Sequence, residues 1–485
     1  MTDSKLLEML KSIIPENQIE IDQKTLRIYS SDLWIKSLID KKHNIEDIRL
    51  PLAVIHVENE DEIIKLLKFA NEHKIGLIPY AGGTSVLGGT IVECGVRNAE
   101  CGMVALIIDM KHLDKVIEIN KDNGYVRVQS GIVGETLERI LNREGFTLNH
   151  FPASMYASTV GGWLAMRSAG TLSTKYGKIE DMVLELKVII PSGDKIEIRH
   201  FRHASAGIDL VALFLGSEGT LGFITEATLR IYPLPETRVF RAISFENLND
   251  ALESIHEIIR SGLRPALIRL YDETDTILTL TALGIEGEGL LMIIITDGKK
   301  EMAELEMKLS LEICTSHNGK LFDENIARYY WDHRYDVSYH QATIFHEQGF
   351  VDTIEVSSYW TELIPLYENI RKNLESLDLI VMAHFSHFYS EGACIYFTLI
   401  SERPHEYEKE LEIYMKMWNI VIETCFASNA TMVHHHGIGI QRVRWFKKLL
   451  GENTYNLWKK IKENLDPNRI MNPGKLLDER ILPEP

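Results

Sequence analysis

The sequence predicts an α+β protein of two or three domains, on three observations. Residues 53–83 form a β-α-β pattern that exits into glycines. The prolines of FITEATLRIYPLPE (223–236) mark a change of character. A length of 485 residues also exceeds what one ordinary core accommodates.

The N-terminal MTDSKLLEMLKSIIPE has no long apolar core and no small-residue cleavage site, so it reads as a short amphipathic helix. AVIHV (53–57) is a short β-branched strand. ENEDEIIKLLKFANEHK (58–74) is helical, with an acidic first turn and Ile63, Ile64, Leu66, Leu67 and Ala70 on one side. GLIPYAGG (76–83) is a strand ending in glycines. ALIIDM (105–110) and YVRVQSG (125–131) read as strands, and GETLERILNREGF (134–146) as a helix stopped by Gly145. LELKVIIPSGD (184–194) and IEIRHF (196–201) make a hairpin across Ser192-Gly193-Asp194.

Beyond residue 237, VFRAISF and LLMIIIT alternate with the charged helices NDALESIHEIIRSG and KEMAELEMKLSLEICTSHNG, so an antiparallel sheet is expected. Residues 325–360 show no clean periodicity.

Composition excludes several classes. A net charge of −18 argues against a nucleic-acid binder. No run approaches the ~18 apolar residues of a spanning helix, and a cytoplasmic location is the expectation. Five cysteines without a CxxC pair suggest no disulfide framework. Cys94 and Cys101 read as reduced thiols, with a local bridge as the alternative. The basic RVRWFKK (442–448) reads as a solvated helix face, with peripheral membrane contact as the alternative.

The chemistry lies in the loops. AGGTSVLGG (81–89) packs glycines around Thr84 and Ser85, where backbone N–H groups can converge on an anion. It is neither G-x-G-x-x-G nor a P-loop. STVGGWLAMRSAGTLSTKYGKIEDMV (158–183) and FLGSEGTLGFITEATL (214–229) are two more small-residue segments. Together they suggest one large ligand held mainly by backbone. TMVHHHGIGI (431–440) adds three imidazoles. Histidine titrates near neutrality and suits proton transfer. On an extended backbone neighbours point to opposite faces, so His434 and His436 should share a site, with His435 packed behind or beside it.

These segments resemble FAD-dependent enzymes of the vanillyl-alcohol oxidase and p-cresol methylhydroxylase superfamily, over residues 25–478. The resemblance implies a two-subdomain FAD-binding domain at 1–235, an α+β substrate cap with an antiparallel sheet at 236–425, and a C-terminal segment, 426–485, that returns to the FAD domain. It implies cofactor contacts at Ala81, Gly82, Gly83, Thr84, Ser85, Gly88, Pro152, Ser158, Thr159, Gly161, Gly162, Glu218, Gly219, Gly222, Ile224 and Asn472. FAD is expected to be non-covalent, because AGGTSV carries no histidine.

STVGGW, KYGKIEDMV, SHFYSEGACIYF (386–397) and HHHGIG look like the alkyldihydroxyacetonephosphate synthase branch. The D-lactate and glycolate dehydrogenases usually show EHGIG and H-x-G-D-G-N-x-H, and neither is present; a D-2-hydroxy acid dehydrogenase is the alternative reading and a non-catalytic flavin-binding protein the second alternative. The implied catalytic residues are His434, His435, His436 and Tyr389, and the implied substrate contacts are Arg167, Arg334 and His387. The synthase branch also carries an arginine in a PYLRD-like segment, where this chain has Gln341 or His340. His384, His387 and the histidine run could supply metal ligands on paper, but the expectation assigns no metal. The expected partner is a small-molecule substrate, the sequence names no electron acceptor, and a homodimer is the expected assembly.

Overall fold

A computed structural model describes residues 2–45, 49–92, 104–199, 205, 207–336, 349–401 and 403–477. Cys94, Cys101, His340 and Gln341 lie outside the described residues.

The chain builds three main sheets. The first is ordered Ile19–Glu20, Ala53–His56, Ala105–Asp109, Gly76–Tyr80, and its last three strands run parallel. Those strands are continuous apolar runs, as parallel strands covered on both faces require. The helix Glu60–His73 covers one face. Asn59 caps it by accepting from Glu62 N–H at 3.1 Å, and three acidic residues fill its first turn. The second sheet is antiparallel: Val116–Asn120, Tyr125–Gln129, Phe223–Arg230, Val183–Ile189, Lys195–Arg199.

The third sheet has seven antiparallel strands: Lys320–Phe322, Thr237–Phe245, Leu290–Gly298, Leu267–Tyr271, Leu379–Ser386, Gly392–Ser401, Val351–Tyr359. Its central run LLMIII (290–295) is apolar at every position because both faces are buried. Leu291, Ile293 and Ile295 pack into a core shared with Trp163, Leu172 and Val188 of the N-terminal half. Leu290, Met292 and Ile294 pack the opposite way, into the core formed by the helices. The helix Tyr407–Ala427 lays Tyr414, Met417, Trp418, Val421 and Cys425 onto that core.

The C-terminal segment returns to the first sheet. Leu77 N–H donates to Ile470 O at 2.7 Å, and Asn472 N–H donates to Leu77 O at 2.8 Å. Among the described residues, no helix is long and apolar enough to cross a membrane.

The described residues of the unpatterned region 325–360 include a helix, Glu324–His333, and a strand, Val351–Tyr359. The basic run does not form a wholly solvated face. Arg442 is completely buried and ion-paired to Glu355, while Lys448 is exposed.

Candidate active site

The strand Leu379–Ser386 ends in a sharp reversal at His387, which adopts φ +53°. A non-glycine residue there is strained by ~1–3 kcal/mol, and such strain concentrates at functional sites. Thr174 Oγ1 accepts from Phe388 N–H at 3.1 Å, and Tyr389 N–H donates to Gly392 O at 2.8 Å. The turn thereby delivers the Tyr389 hydroxyl to 3.1 Å from His434 Nε2.

The histidine run is not extended. Glu355, buried on the neighbouring strand, accepts the N–H groups of His434, His435 and His436 at 3.2, 3.0 and 2.6 Å. Three successive donors converge on one oxygen only if the backbone curls around it. Burial pushes the Glu355 carboxyl up, but Arg442 and His436 outweigh that and hold it at about 2. A second buried carboxylate continues the cradle: Glu218 accepts from Ile438 N–H at 2.6 Å and Gly439 N–H at 2.9 Å. Gly437 stays within reach because it has φ +84° and a Cβ there would meet Glu218 Oε1 at 2.8 Å.

This curl corrects the expected pairing of His434 with His436. His434 Nδ1 meets His435 Nδ1 at 2.8 Å. His387 stacks on His434 with ring centroids 4.9 Å apart, and lies 5.2 Å from His435. One nitrogen from each of His387, His434 and His435 falls within 4.8 Å of the others. His436 instead turns to Glu355, 4.0 Å away, and to the edge of Tyr396. His384 stays outside the cluster, its Nδ1 3.1 Å from Arg269 Nη2.

Burial and the Lys178 ammonium push the His434 imidazole down to about 3. Burial also drives His387 and His435 well below the ordinary histidine value. All three are therefore neutral near pH 7. Burial raises the Tyr389 hydroxyl, so it is a neutral donor there.

One segment, residues 173–178, ties the cluster to the N-terminal half. Ser173 Oγ bonds His387 Nδ1 at 2.6 Å, and Lys178 Nζ donates to His434 O at 2.7 Å. Between them, Tyr176 donates its hydroxyl to Asp297 at 2.7 Å.

Arg167 and Arg334 make their contacts outside the histidine cluster among the described residues. Arg167 is exposed and donates to the carbonyls of Leu215 and Ala212, each at 3.2 Å, so it braces the third glycine loop. Arg334 lies against Trp331, Tyr335 and Phe151. Neither bonds the histidine cluster among the described residues. Arg269, which sequence reasoning missed, makes no ion pair within 4.0 Å among the described residues, and its Nε has no partner there. It remains partly accessible while packing on Tyr271 and Tyr330. A lone arginine in the apolar strand ALIRLY was the available signal. Glu355, the single acidic side chain inside the β-branched stretch TIEV, was the other.

The glycine loops meet as a unit. In Ala81–Val86, partly exposed throughout, the N–H groups of Gly82, Gly83 and Thr84 donate to no described residue. Ser85 Oγ accepts from Leu87 and Gly89 N–H at 3.3 and 3.1 Å, holding the loop open up to the buried Gly88. Thr159 Oγ1 caps the segment that follows by accepting from Gly162 N–H at 3.4 Å. Ser158 Oγ accepts from Trp163 Nε1 at 2.8 Å, and Gly161 N–H donates to Ser130 O at 2.7 Å. Pro152 is buried and accepts from Met155 N–H at 3.0 Å. Gly219 lies against Pro79, Gly222 against Ile189 O, and Ile224 pairs with Val188 in the second sheet. Asn472 Nδ2 donates to Gly89 O at 3.1 Å and Glu218 O at 2.6 Å, joining the first and third loops. Its Oδ1 is buried without a partner among the described residues. Unpaired N–H groups beside an orphaned amide oxygen fit a bound dinucleotide. Glu218 itself is committed to the histidine loop.

Residues 51–199 match the FAD binding domain, and residues 234–476 match the C-terminal domain of FAD linked oxidases. The chain belongs to the FAD-linked oxidase family. As a family member it is an enzyme with an FAD-binding domain of the p-cresol methylhydroxylase type. It is 29% identical to the alkyldihydroxyacetonephosphate synthase of Trypanosoma brucei brucei, over 97% of this chain and 80% of that one. It is 30% identical to YgcU, an uncharacterised FAD-linked oxidoreductase of Escherichia coli (strain K12), over 98% and 99%. The mitochondrial cytochrome D-lactate dehydrogenase of Arabidopsis thaliana is 28% identical over 98% and 81%. A solved alkyldihydroxyacetonephosphate synthase shares the fold with a TM-score of 0.81 at 24% identity, over 98% of this chain and 85% of that one.

Proposed function

We propose that this family member catalyses a non-redox exchange at a phosphorylated ketone, of the alkyldihydroxyacetonephosphate synthase kind. An acyl-dihydroxyacetone phosphate and a fatty alcohol would give the alkyl ether and a fatty acid. One carbon–oxygen bond breaks, one forms, and nothing is oxidised overall. The observation that carries this reading is the hydrogen bond between Tyr389 and His434.

The FAD is held non-covalently, its pyrophosphate against the free N–H groups of Gly82, Gly83 and Thr84. When bound, it supplies an electrophilic flavin nitrogen that can activate the substrate carbon reversibly. The chain's own residues do the rest. Tyr389 is the neutral hydroxyl that relays a proton between the substrate and the neutral His434 imidazole, passing its own proton on as it receives another. Arg269, which makes no ion pair within 4.0 Å among the described residues although Asp275 lies near enough to act on it, holds the substrate phosphate. Lys178 and Glu355 fix the histidine loop from its two sides.

Anaerobic spectroscopy of the yellow protein tests the reading. Acyl-dihydroxyacetone phosphate should perturb the flavin spectrum without net reduction. Bleaching by a D-2-hydroxy acid, with no response to the ketone phosphate, would replace this reading with a dehydrogenase.

A further inference from the structure

We infer, on the reading that Tyr389 handles the substrate's proton, that Trp360 is the residue that positions Tyr389 against His434. One strand then sets the gap between the two groups.

Trp360 directly follows the strand Val351–Tyr359. Its indole Nε1–H is shared between two carbonyls of the turn that carries the tyrosine, Tyr389 O at 3.2 Å and Ser390 O at 3.1 Å. Its backbone N–H donates to Glu391 O at 3.3 Å. One residue therefore binds three successive carbonyls. A turn has no ladder of its own to satisfy them, so the donor that does so fixes the direction in which the Tyr389 side chain leaves the backbone.

The indole is itself held. It stacks on Phe388 with ring centroids 5.9 Å apart and planes 15° apart, and on His256 at 4.5 Å and 18°. Phe388 is buried, and His256 comes from the helix Leu248–Arg260. Two rings packed nearly parallel to the indole oppose its rotation.

The same strand anchors the histidine side of the pair. Glu355 accepts the N–H groups of His434, His435 and His436. Ser357 exchanges two backbone hydrogen bonds with Thr431, at 3.1 and 2.9 Å, just ahead of the histidine run. Tyr359 pairs with Gly392, whose carbonyl accepts from Tyr389 N–H. The histidine loop and the tyrosine turn are thus pinned to one extended segment. An extended segment has little length to give, so the 3.1 Å between Tyr389 Oη and His434 Nε2 is set by where Glu355 and Trp360 fall along it. A misplacement of ~1 Å at a reacting group lowers the rate by up to about 10²-fold.

The test uses the full-length, flavin-loaded protein. Trp360→Phe keeps an aromatic ring beside Phe388 and His256 and removes the indole N–H. With acyl-dihydroxyacetone phosphate and a fatty alcohol, kcat should fall by about 10–100-fold while KM stays within about twofold. In a Tyr389→Phe background the same substitution should lower kcat no further, because a residue that acts through the hydroxyl has nothing left to place. Without substrate, hydrogen exchange at the Tyr389 amide should speed up in Trp360→Phe, while the amides of His434, His435 and His436 keep their wild-type rates. A full further loss in the Tyr389→Phe background would overturn the proposal, as would a wild-type kcat in Trp360→Phe. If the wild type turns over neither substrate, the proposed reaction fails on its own. Hydrogen exchange then decides the positioning alone, and an unchanged Tyr389 amide overturns it. If Trp360→Phe fails to fold, benzothienyl-alanine at position 360 takes its place with the same expectations, since it keeps the bicyclic ring and replaces only the N–H with sulfur.

Discussion

Tyr389 Oη stands 3.1 Å from His434 Nε2, across the gap between a sheet-end turn and a loop more than forty residues away in sequence. The tyrosine is placed by Thr174 and Gly392, and the imidazole by Glu355 and Lys178. Two independently braced groups meeting at hydrogen-bond distance is what proton handling requires.

Tyr389→Phe removes the hydroxyl and little else. Turnover should fall by about 10²–10⁴-fold, the scale for losing a positioned acid or base. Flavin content and the thermal midpoint should stay at wild-type values. Turnover within threefold of wild type would take Tyr389 out of the chemistry.

Gly83→Val should abolish FAD retention. The backbone there has φ +61°, and a Cβ would run into the Tyr80 hydroxyl. The loop must then move its free N–H groups off the pyrophosphate. The purified variant should be colourless, while wild type releases its FAD on acid denaturation. A normal yellow colour in the variant would place the pyrophosphate elsewhere.

Arg269→Leu should raise KM for a phosphate-bearing substrate and lower kcat/KM by about 2–5 kcal/mol, the cost of removing one partner of a buried charged contact. Arg269→Lys should recover part of it. Steady-state kinetics against an uncharged analogue provide the control, since that substrate gains nothing from the cation. Equal losses on both substrates would make the arginine a packing residue.

The glycine loops were legible because their information is local: a small residue permits a tight turn wherever the fold puts it. The β-α-β opening was legible for the same reason, since the period and cap of Glu60–His73 lie within the helix itself. The histidine pairing was not. The curl of residues 434–436 is imposed by Glu355, about eighty residues upstream, and no local pattern around HHHGIG encodes a carboxylate behind it. Arg167 is the converse case. Its neighbours suit a cofactor wall, but its guanidinium is spent on the carbonyls of Leu215 and Ala212.

Glu355→Gln tests what shapes the site. Arg442 is fully buried against this carboxylate, so removing the charge leaves a guanidinium without its counter-ion in the interior. Such a break costs about 3–5 kcal/mol. The urea midpoint at pH 7 should fall accordingly, and the histidine loop should lose protection from hydrogen exchange. The pH dependence has a definite sign. Folding lowers the Glu355 pKa from 4.5 to about 2, so its contribution is fully present above about 4.5. That contribution is lost as pH falls from there towards 2. Wild type should therefore converge on the variant in acid, with the gap widest at neutral pH. A gap that persists unchanged down to pH 2 would mean that shape, and not charge, is what Glu355 supplies.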